Sequence, residues 1–559
     1  MIIRRGLMGR AGIYLLSVIC LVNCSCSKEK QQTVTPPPSS FVFSGLKVNG
    51  LYNGFTYKGV NTSPVITISF STPISHTSVA NAVSFTSKTG TAVSYTTSYL
   101  NNDSTIVITP AGLQPITQYT MGVSTALKSS AGGGLQSAVS LNLLTAVDTT
   151  NKFPVVTDDQ LLDIVEKQTF KYFYDFGHPV SGLARERNTS GDVVTTGGSG
   201  FGIMALVAGV SRSYITRAQG LARMQTIVGF LKNNAQTFHG AFPHWLNGST
   251  GAVVPFSAQD DGADLVETGF LMEGLLTARQ YFNQTTTAET QLRADINTLW
   301  NKVQWSWFEN GQNTLFWHWS PDFGWEGNMQ INGWNEAMII YALAASSTTY
   351  PITATVYANG WAGNGSMKNG SAYFGVTLPL GPQEGGPLFF AHYSFLGINP
   401  NGLSDAYAAY DVQNKAHAMI NYDYCVTNPQ GYYGYGPNCW GLTACDVPSG
   451  YNANSPTSDL GVIAPTAAIA SLPYTPTQSL AALHFFYYKL GDKIWGQYGF
   501  YDSFDLDNPW FATSDLAIDE GPIIDMVENY RSGLLWSLFM SCPEVQTGMK
   551  SLGFAGPNL

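Results

Sequence analysis

The chain has 559 residues, of which 44% are hydrophobic, 13% aromatic and only 11% charged. That length exceeds one ordinary hydrophobic core, so two or more domains are expected. The formal net charge of −10 excludes a nucleic-acid partner, which would need a Lys/Arg field that this composition lacks, and favours an uncharged ligand.

Residues 1–26 read as an export signal: Arg4, Arg5 and Arg10 form a basic start, and the apolar run 11–22 is too short for an ordinary membrane span. The NCSCSKEK that follows resembles a bacterial lipoprotein signal, in which a cysteine just past the apolar run becomes the lipidated N-terminus. Leu21 stands three residues before Cys24, whereas Cys26 follows the small Ser25. Lipidation is expected at Cys26 or Cys24, leaning to Cys26, with membrane contact through that anchor alone. Residues 27–40, rich in Pro, Ser and Thr, form a tether.

Export would permit disulfides, and Cys439 and Cys445, the nearest pair among the later cysteines, bracket a loop where a staple is open. No CxxC pair supports a structural zinc site, and no metal or cofactor is expected. His178 and His417 read as structural histidines.

From 41 to 150 the chain runs in short β-rich segments separated by Gly, Asn, Asp and Pro, a β-sandwich pattern. SPVITISFSTPI and TIVITPAGLQPITQYTMGVS resemble bacterial Ig-like modules. The expected role is spacing, with glycan binding second.

Beyond residue 152 the apolar period changes from two to 3.6. TDDQLLDIVEKQTFKYFYDF opens with an N-cap, and further helices are expected near 201–210, 216–233, 262–282, 287–300, 334–347, 352–361, 409–426, 463–472, 476–490 and 523–539. About a dozen helices joined by long loops predict an α/α toroid over 151–559. Several are apolar on more than one face, as an inner ring requires, and such long loops normally carry function.

The segment 259–274, QDDGADLVETGFLMEG, sets acids into an apolar helical pattern. At about 100° per residue, Asp260, Asp264 and Glu267 share one helical face, beside a packed wall that can raise a carboxyl pKa. Dipole complementation at a helix start would explain the first two acids but not Glu267. Seven of the thirteen tryptophans lie between 300 and 334, a composition suited to stacking on sugar rings. Trp300, Trp305 and Trp307 read as core, Trp325 and Trp334 as stacking candidates. Glu336 in INGWNEAMIIYALA and Asp519 with Glu520 in AIDEGPIIDMVENYRSG also stand at helix starts. Three acidic helix starts can ring one mouth, and acetal hydrolysis needs one carboxylic acid and one carboxylate.

The ordered set SGLARERN, TGGSGFGIMAL, HGAFPHWLNGSTG, DDGADLVETGFLMEGLL, NGWNEAMIIYALA, GPLFFAHYSFLGINP and IDEGPIIDMVENYRSG resembles the bacterial glycoamylase-like proteins, and within them glycoside hydrolase family 144, the endo-β-1,2-glucanases. The resemblance implies an (α/α)6 barrel and inverting, metal-independent hydrolysis of β-1,2-glucan to sophorooligosaccharides, and a monomer is expected. It points to Glu336 as general acid and Asp519 as candidate base. Asp260, Asp264 and Glu267 would hold glucose hydroxyls, or one of them would be the base instead. Arg185 and Arg187 are candidates for ordering the acids, since an Arg keeps one carboxylate ionised beside a protonated neighbour. Gln is usual in the family where Glu520 stands. The alternatives are a hydrolase of another glucan linkage, an exo-acting enzyme, or a surface lipoprotein that binds glycan without cleaving it.

Overall fold

A computed structural model describes residues 40–559. The export signal, Cys24, Cys26 and the tether up to Ser39 lie outside the described residues.

The first domain is a sandwich of strands β1 (Phe43–Val48), β2 (Thr56–Val60), β3 (Ile66–Phe70), β4 (Val83–Ser87), β5 (Tyr95–Leu100), β6 (Thr105–Pro110), β7 (Gln118–Val123) and β8 (Val139–Thr145), with helix α1 (His76–Ala82) before β4. One sheet has the order β1-β3-β6-β5 and the other β2-β8-β7-β4. All named pairings are antiparallel except β2 with β8. Alternation builds the core: Ile66, Ile68, Ile106 and Ile108 from one sheet meet Met121, Val123, Leu141 and Leu143 from the other, as period-two strands with one buried face require.

The helical domain comprises α2 (Asp158–Tyr174), α3 (Thr196–Ser211), α4 (Arg217–Asn233), α5 (Leu265–Tyr281), α6 (Thr287–Lys302), α7 (Met338–Ser346), α8 (Ala354–Val356), α9 (Tyr410–Thr427), α10 (Pro465–Ile469), α11 (Pro476–Ile494), α12 (Ala517–Arg531), α13 (Leu534–Met540) and α14 (Pro543–Ser551). They fall into two kinds. In α3, α5, α7, α10 and α12 nearly every residue is buried, whereas α2, α4, α6 and α11 bury one stripe. The buried helices adjoin one another, α3 against α5 and α12, α5 against α7, α12 against α10. The approach of α3 to α5 depends on glycine: a Cβ on Gly274 would lie 2.1 Å from the Gly200 carbonyl oxygen.

Local signals account for several boundaries. Thr157 caps α2 in a reciprocal box with Gln160. Gly533, at φ 68°, divides the expected helix 523–539 into α12 and α13, and α12 itself starts earlier, at Ala517. The expected helix 352–361 is the three-residue α8 followed by a π turn, Tyr357–Trp361. Cys425, Cys439, Cys445 and Cys542 are buried and unbridged, so the staple between Cys439 and Cys445 is absent; Cys445 Sγ accepts instead from Asn454 Nδ2 at 3.2 Å. No helix among the described residues is long and apolar enough to cross a membrane.

Candidate active site

The buried helices α3, α5, α7 and α12 present their N-terminal ends to one cavity of about 500 Å³. Its lining includes Thr195 before α3, Val266 and Glu267 in α5, Glu336 before α7, and Leu516 and Ile518 at the start of α12. Trp245, Phe256, Trp317, Phe389, Tyr393 and Tyr451 supply aromatic walls, and Glu186, Arg187 and His244 complete the polar face. The volume lies within the usual range for small-ligand sites, about 300 to 1,000 Å³.

The acidic segment differs from the expected stripe. Helix α5 begins at Leu265, so Asp260 lies in the preceding loop and Asp264 is the N-cap. Asp264 Oδ1 accepts from the Val266 and Glu267 amides, both at 2.9 Å, satisfying two donors that a helix start leaves free. A cap is worth more here than a place on a helical face. The three acids nevertheless converge on His244: its Nδ1 lies 3.0 Å from Asp264 Oδ2 and 3.3 Å from Asp260 Oδ2, and its Nε2 lies 3.9 Å from Glu267 Oε1. Burial opposes protonation of this ring, but Glu267, Asp260 and Asp264 outweigh burial and hold its pKa well above 6.5. The histidine and the two aspartates have ligand atoms within 4.8 Å of one another. That spacing could serve a cation, and an imidazolium brings the positive charge itself.

Glu267 and Glu336 share the cavity as buried carboxyls. Glu267 Oε2 accepts from the Gly197 amide at 2.7 Å, and a Cβ on Gly197 would stand 2.6 Å from that oxygen. Burial pushes the Glu267 pKa up to about 7, against the pull of His244. Glu336 is fixed by its backbone: Ser394 Oγ donates to its carbonyl and accepts from Ile339 N at 3.0 Å, and Asn335 Oδ1 takes the Ala337 amide at 2.9 Å. Desolvation, with Glu267 and Asp264 adding, pushes its pKa up to about 7 as well.

Asp519 stands one layer behind the wall. It is 3% exposed and does not line the cavity, although its neighbour Ile518 does. Its carboxyl is packed beside that of Asp502, close enough for each to bear on the other's ionisation, and both are buried. Burial and the Asp502 charge hold Asp519 well above the carboxylate range, and burial pushes Asp502 up to about 7. Tyr393, on the cavity wall, feels the charges of Asp519, Glu336 and Glu267 together.

Other expected residues sit elsewhere. Trp334 is 4% exposed, its indole among Phe395, Tyr410 and His417, with Nε1 donating to His417 Nδ1 at 3.4 Å. Trp325 packs on Trp307, with ring centroids 4.7 Å apart, and neither tryptophan lines the cavity. Arg185 lays its guanidinium over the Phe176 ring, 4.5 Å from the centroid; Arg187 is the arginine on the cavity, held by Glu186 at 3.0 Å and Asp446 at 3.2 Å. Glu520 is buried toward Thr169 of α2. His244, Asp502 and Tyr393 went unmarked by sequence. Only His244, inside a Pro-His-Trp triplet, carries a local signal that could have drawn attention to it.

Residues 328–543 match a family model described as "Putative glucoamylase", and residues 53–145 match a bacterial Ig-like domain. The chain is 46% identical over 421 residues to an exo β-1,2-glucooligosaccharide sophorohydrolase (non-reducing end) from Parabacteroides distasonis, across 71% of this chain; it spans 58% of the length of that relative. It is 50% identical to the solved endo-β-1,2-glucanase of Chitinophaga pinensis, in a complex with sophorotriose and glucose, covering 72% of this chain and 100% of that one with a TM-score of 0.71. A solved β-1,2-glucanase from Parabacteroides distasonis is 37% identical over 92% of this chain and 74% of its own, with a TM-score of 0.70. The chain therefore belongs to the bacterial glycoamylase-like family, alongside the Chitinophaga pinensis endo-β-1,2-glucanase, and carries a bacterial Ig-like module ahead of the family's helical domain.

Proposed function

We propose that this protein is a glycoside hydrolase that cleaves β-1,2-glucan to sophorooligosaccharides by inversion, on an (α/α)6 barrel spanning 151–559. The observation that carries the reading is the pair of buried carboxyls, Glu336 and Glu267, facing one aromatic-lined cavity with pKa values near neutrality, in a chain so similar to β-1,2-glucan hydrolases. A carboxylic acid that keeps its proton near pH 7 is suited to protonating a glycosidic oxygen, and Glu336 is assigned that role. Asp519 is the candidate base. Because it lies behind the wall that Ile518 and Tyr393 line, it would take up the proton of the attacking water through an intervening water and not by direct contact. Asp260, Asp264 and His244 form a charged cradle that orders Glu267 for holding sugar hydroxyls. The sequence supports an Ig-like module over 41–150 and export as a lipoprotein anchored at Cys26 or Cys24, and the reading takes the protein as a monomer.

Digestion of linear β-1,2-, β-1,3-, β-1,4- and α-1,4-glucans tests this reading. Cleavage of the β-1,2 polymer alone is expected, with the α-anomer released first and activity unchanged by EDTA. Initial β-anomer would overturn inversion, and loss of activity in EDTA restored by one metal would assign His244, Asp260 and Asp264 to an ion. A second reading, exo action, is favoured by the similarity to the sophorohydrolase; sophorose as the sole early product would select it, a ladder of oligosaccharides would select endo action.

A further inference from the structure

The β-sandwich is gripped by the hairpin that carries Asp502. Strand β2 offers Lys58, whose Nζ lies 2.6 Å from Asp507 Oδ1 and 3.2 Å from the Gly431 carbonyl oxygen. Strand β7 offers Gln118, whose Nε2 donates to the Asp507 carbonyl at 3.1 Å. Tyr433 closes the joint, its amide donating to Asp507 Oδ1 at 2.8 Å and its hydroxyl accepting from Val147 N at 3.1 Å. Asp507 is the tip of a hairpin: Phe504 pairs with Phe511 and Asp505 with Trp510, and Asp505 Oδ1 accepts from the Asp507 and Asn508 amides at 2.7 and 3.0 Å. At its base the Asp502 amide donates to the Ser514 carbonyl at 2.9 Å, and Asp502 Oδ2 accepts from the Asp446 amide at 2.5 Å. Asp507, held by the sandwich, is therefore five positions along the chain from Asp502, whose carboxyl meets Asp519.

We propose that the Ig-like module is a brace for the active site, with Lys58 and Gln118 as positioning residues that hold the 502–514 hairpin and, through it, the Asp502–Asp519 pair. A spacer would need no such contacts. The catalytic half of this inference rests on the reading of Asp519 as base. A shift of one ångström in a catalytic group can cost about a hundredfold in rate, so loosening a brace one hairpin away should cost less, on the order of fivefold to tenfold.

The test uses the full chain with Lys58→Met and Gln118→Met combined, and Lys58→Arg as the conservative control. Hydrogen exchange of 502–514 is expected to quicken in the double variant while α5 and α7 stay protected. On β-1,2-glucooligosaccharides kcat should fall about fivefold to tenfold with KM within about twofold, the pH profile should move, and Lys58→Arg should restore both. Unchanged exchange in 502–514 would overturn the brace outright. Faster exchange with unaltered kcat and pH profile would overturn its link to the acid pair. Full activity of Asp519→Asn would sink the reading of Asp519 and with it the catalytic half, while the exchange result would still decide the mechanical half.

Discussion

Replacing Glu336 by glutamine is expected to lower kcat by about three orders of magnitude while substrate binding stays measurable, because the side chain keeps its shape and loses only its transferable proton. The position is suited to that proton. The carboxyl is buried and adjoined by the charges of Glu267 and Asp264, and these effects outweigh its own backbone amide, leaving the pKa at about 7. A group raised to about 7 is protonated below that pH and loses its proton above it, so kcat/KM in the wild type should decline as pH rises through about 7. Glu267, also near 7, titrates alongside, so the limb belongs to both acids. In Glu336→Gln the residual rate should lack the Glu336 contribution to that limb. Steady-state kinetics with product quantification from pH 5 to 9 check both statements, and retention of more than about a tenth of wild-type kcat would remove Glu336 from the role.

What the sequence made legible followed the range of the physics involved. Strand alternation and helical period are local, and both domains could be read from them; the Thr157 cap was legible because its partner Gln160 is three residues away. The start of α5 was ambiguous because Asp260 and Asp264 fit a helical face as well as a loop and a cap, and the two amide donors of Val266 and Glu267 settle it in favour of the cap. Glu336 and Glu267 face one cavity because four helix starts meet there. Trp334 misled: beside Gly, Asn and Glu it reads as a mouth residue, yet Phe395, Tyr410 and His417, far along the chain, enclose it. Asp502 was invisible for the same reason, and the Pro-His-Trp triplet around His244 gave no hint of the three acids that meet there. Their partners come from other elements, and no periodicity marks a residue whose significance is one long-range contact.

Changing either member of the buried Asp502–Asp519 pair to asparagine is expected to lower kcat by about a hundredfold, and changing both to cost no more than the worse single variant. No N–H or O–H of another described residue reaches either carboxylate oxygen of Asp519 or Oδ1 of Asp502. Two buried carboxyls packed together, with the Asp446 amide on Asp502 Oδ2 as their one donor from another residue, do not both ionise readily, so one proton is shared between them. Asn at 519 removes the base. Asn at 502 acts differently: its amide would donate permanently to Asp519, favour the Asp519 carboxylate and depress the very pKa that lets it accept a proton. Both substitutions therefore disable one unit, and groups that act as a unit give strongly non-additive losses. A double-mutant cycle in kcat, with folding checked by thermal unfolding, measures the coupling. Losses that multiply to about ten-thousandfold would mean two separate roles, and near-wild-type activity of Asp502→Asn would dissolve the pair, leaving Asp519 to act without a proton-sharing partner.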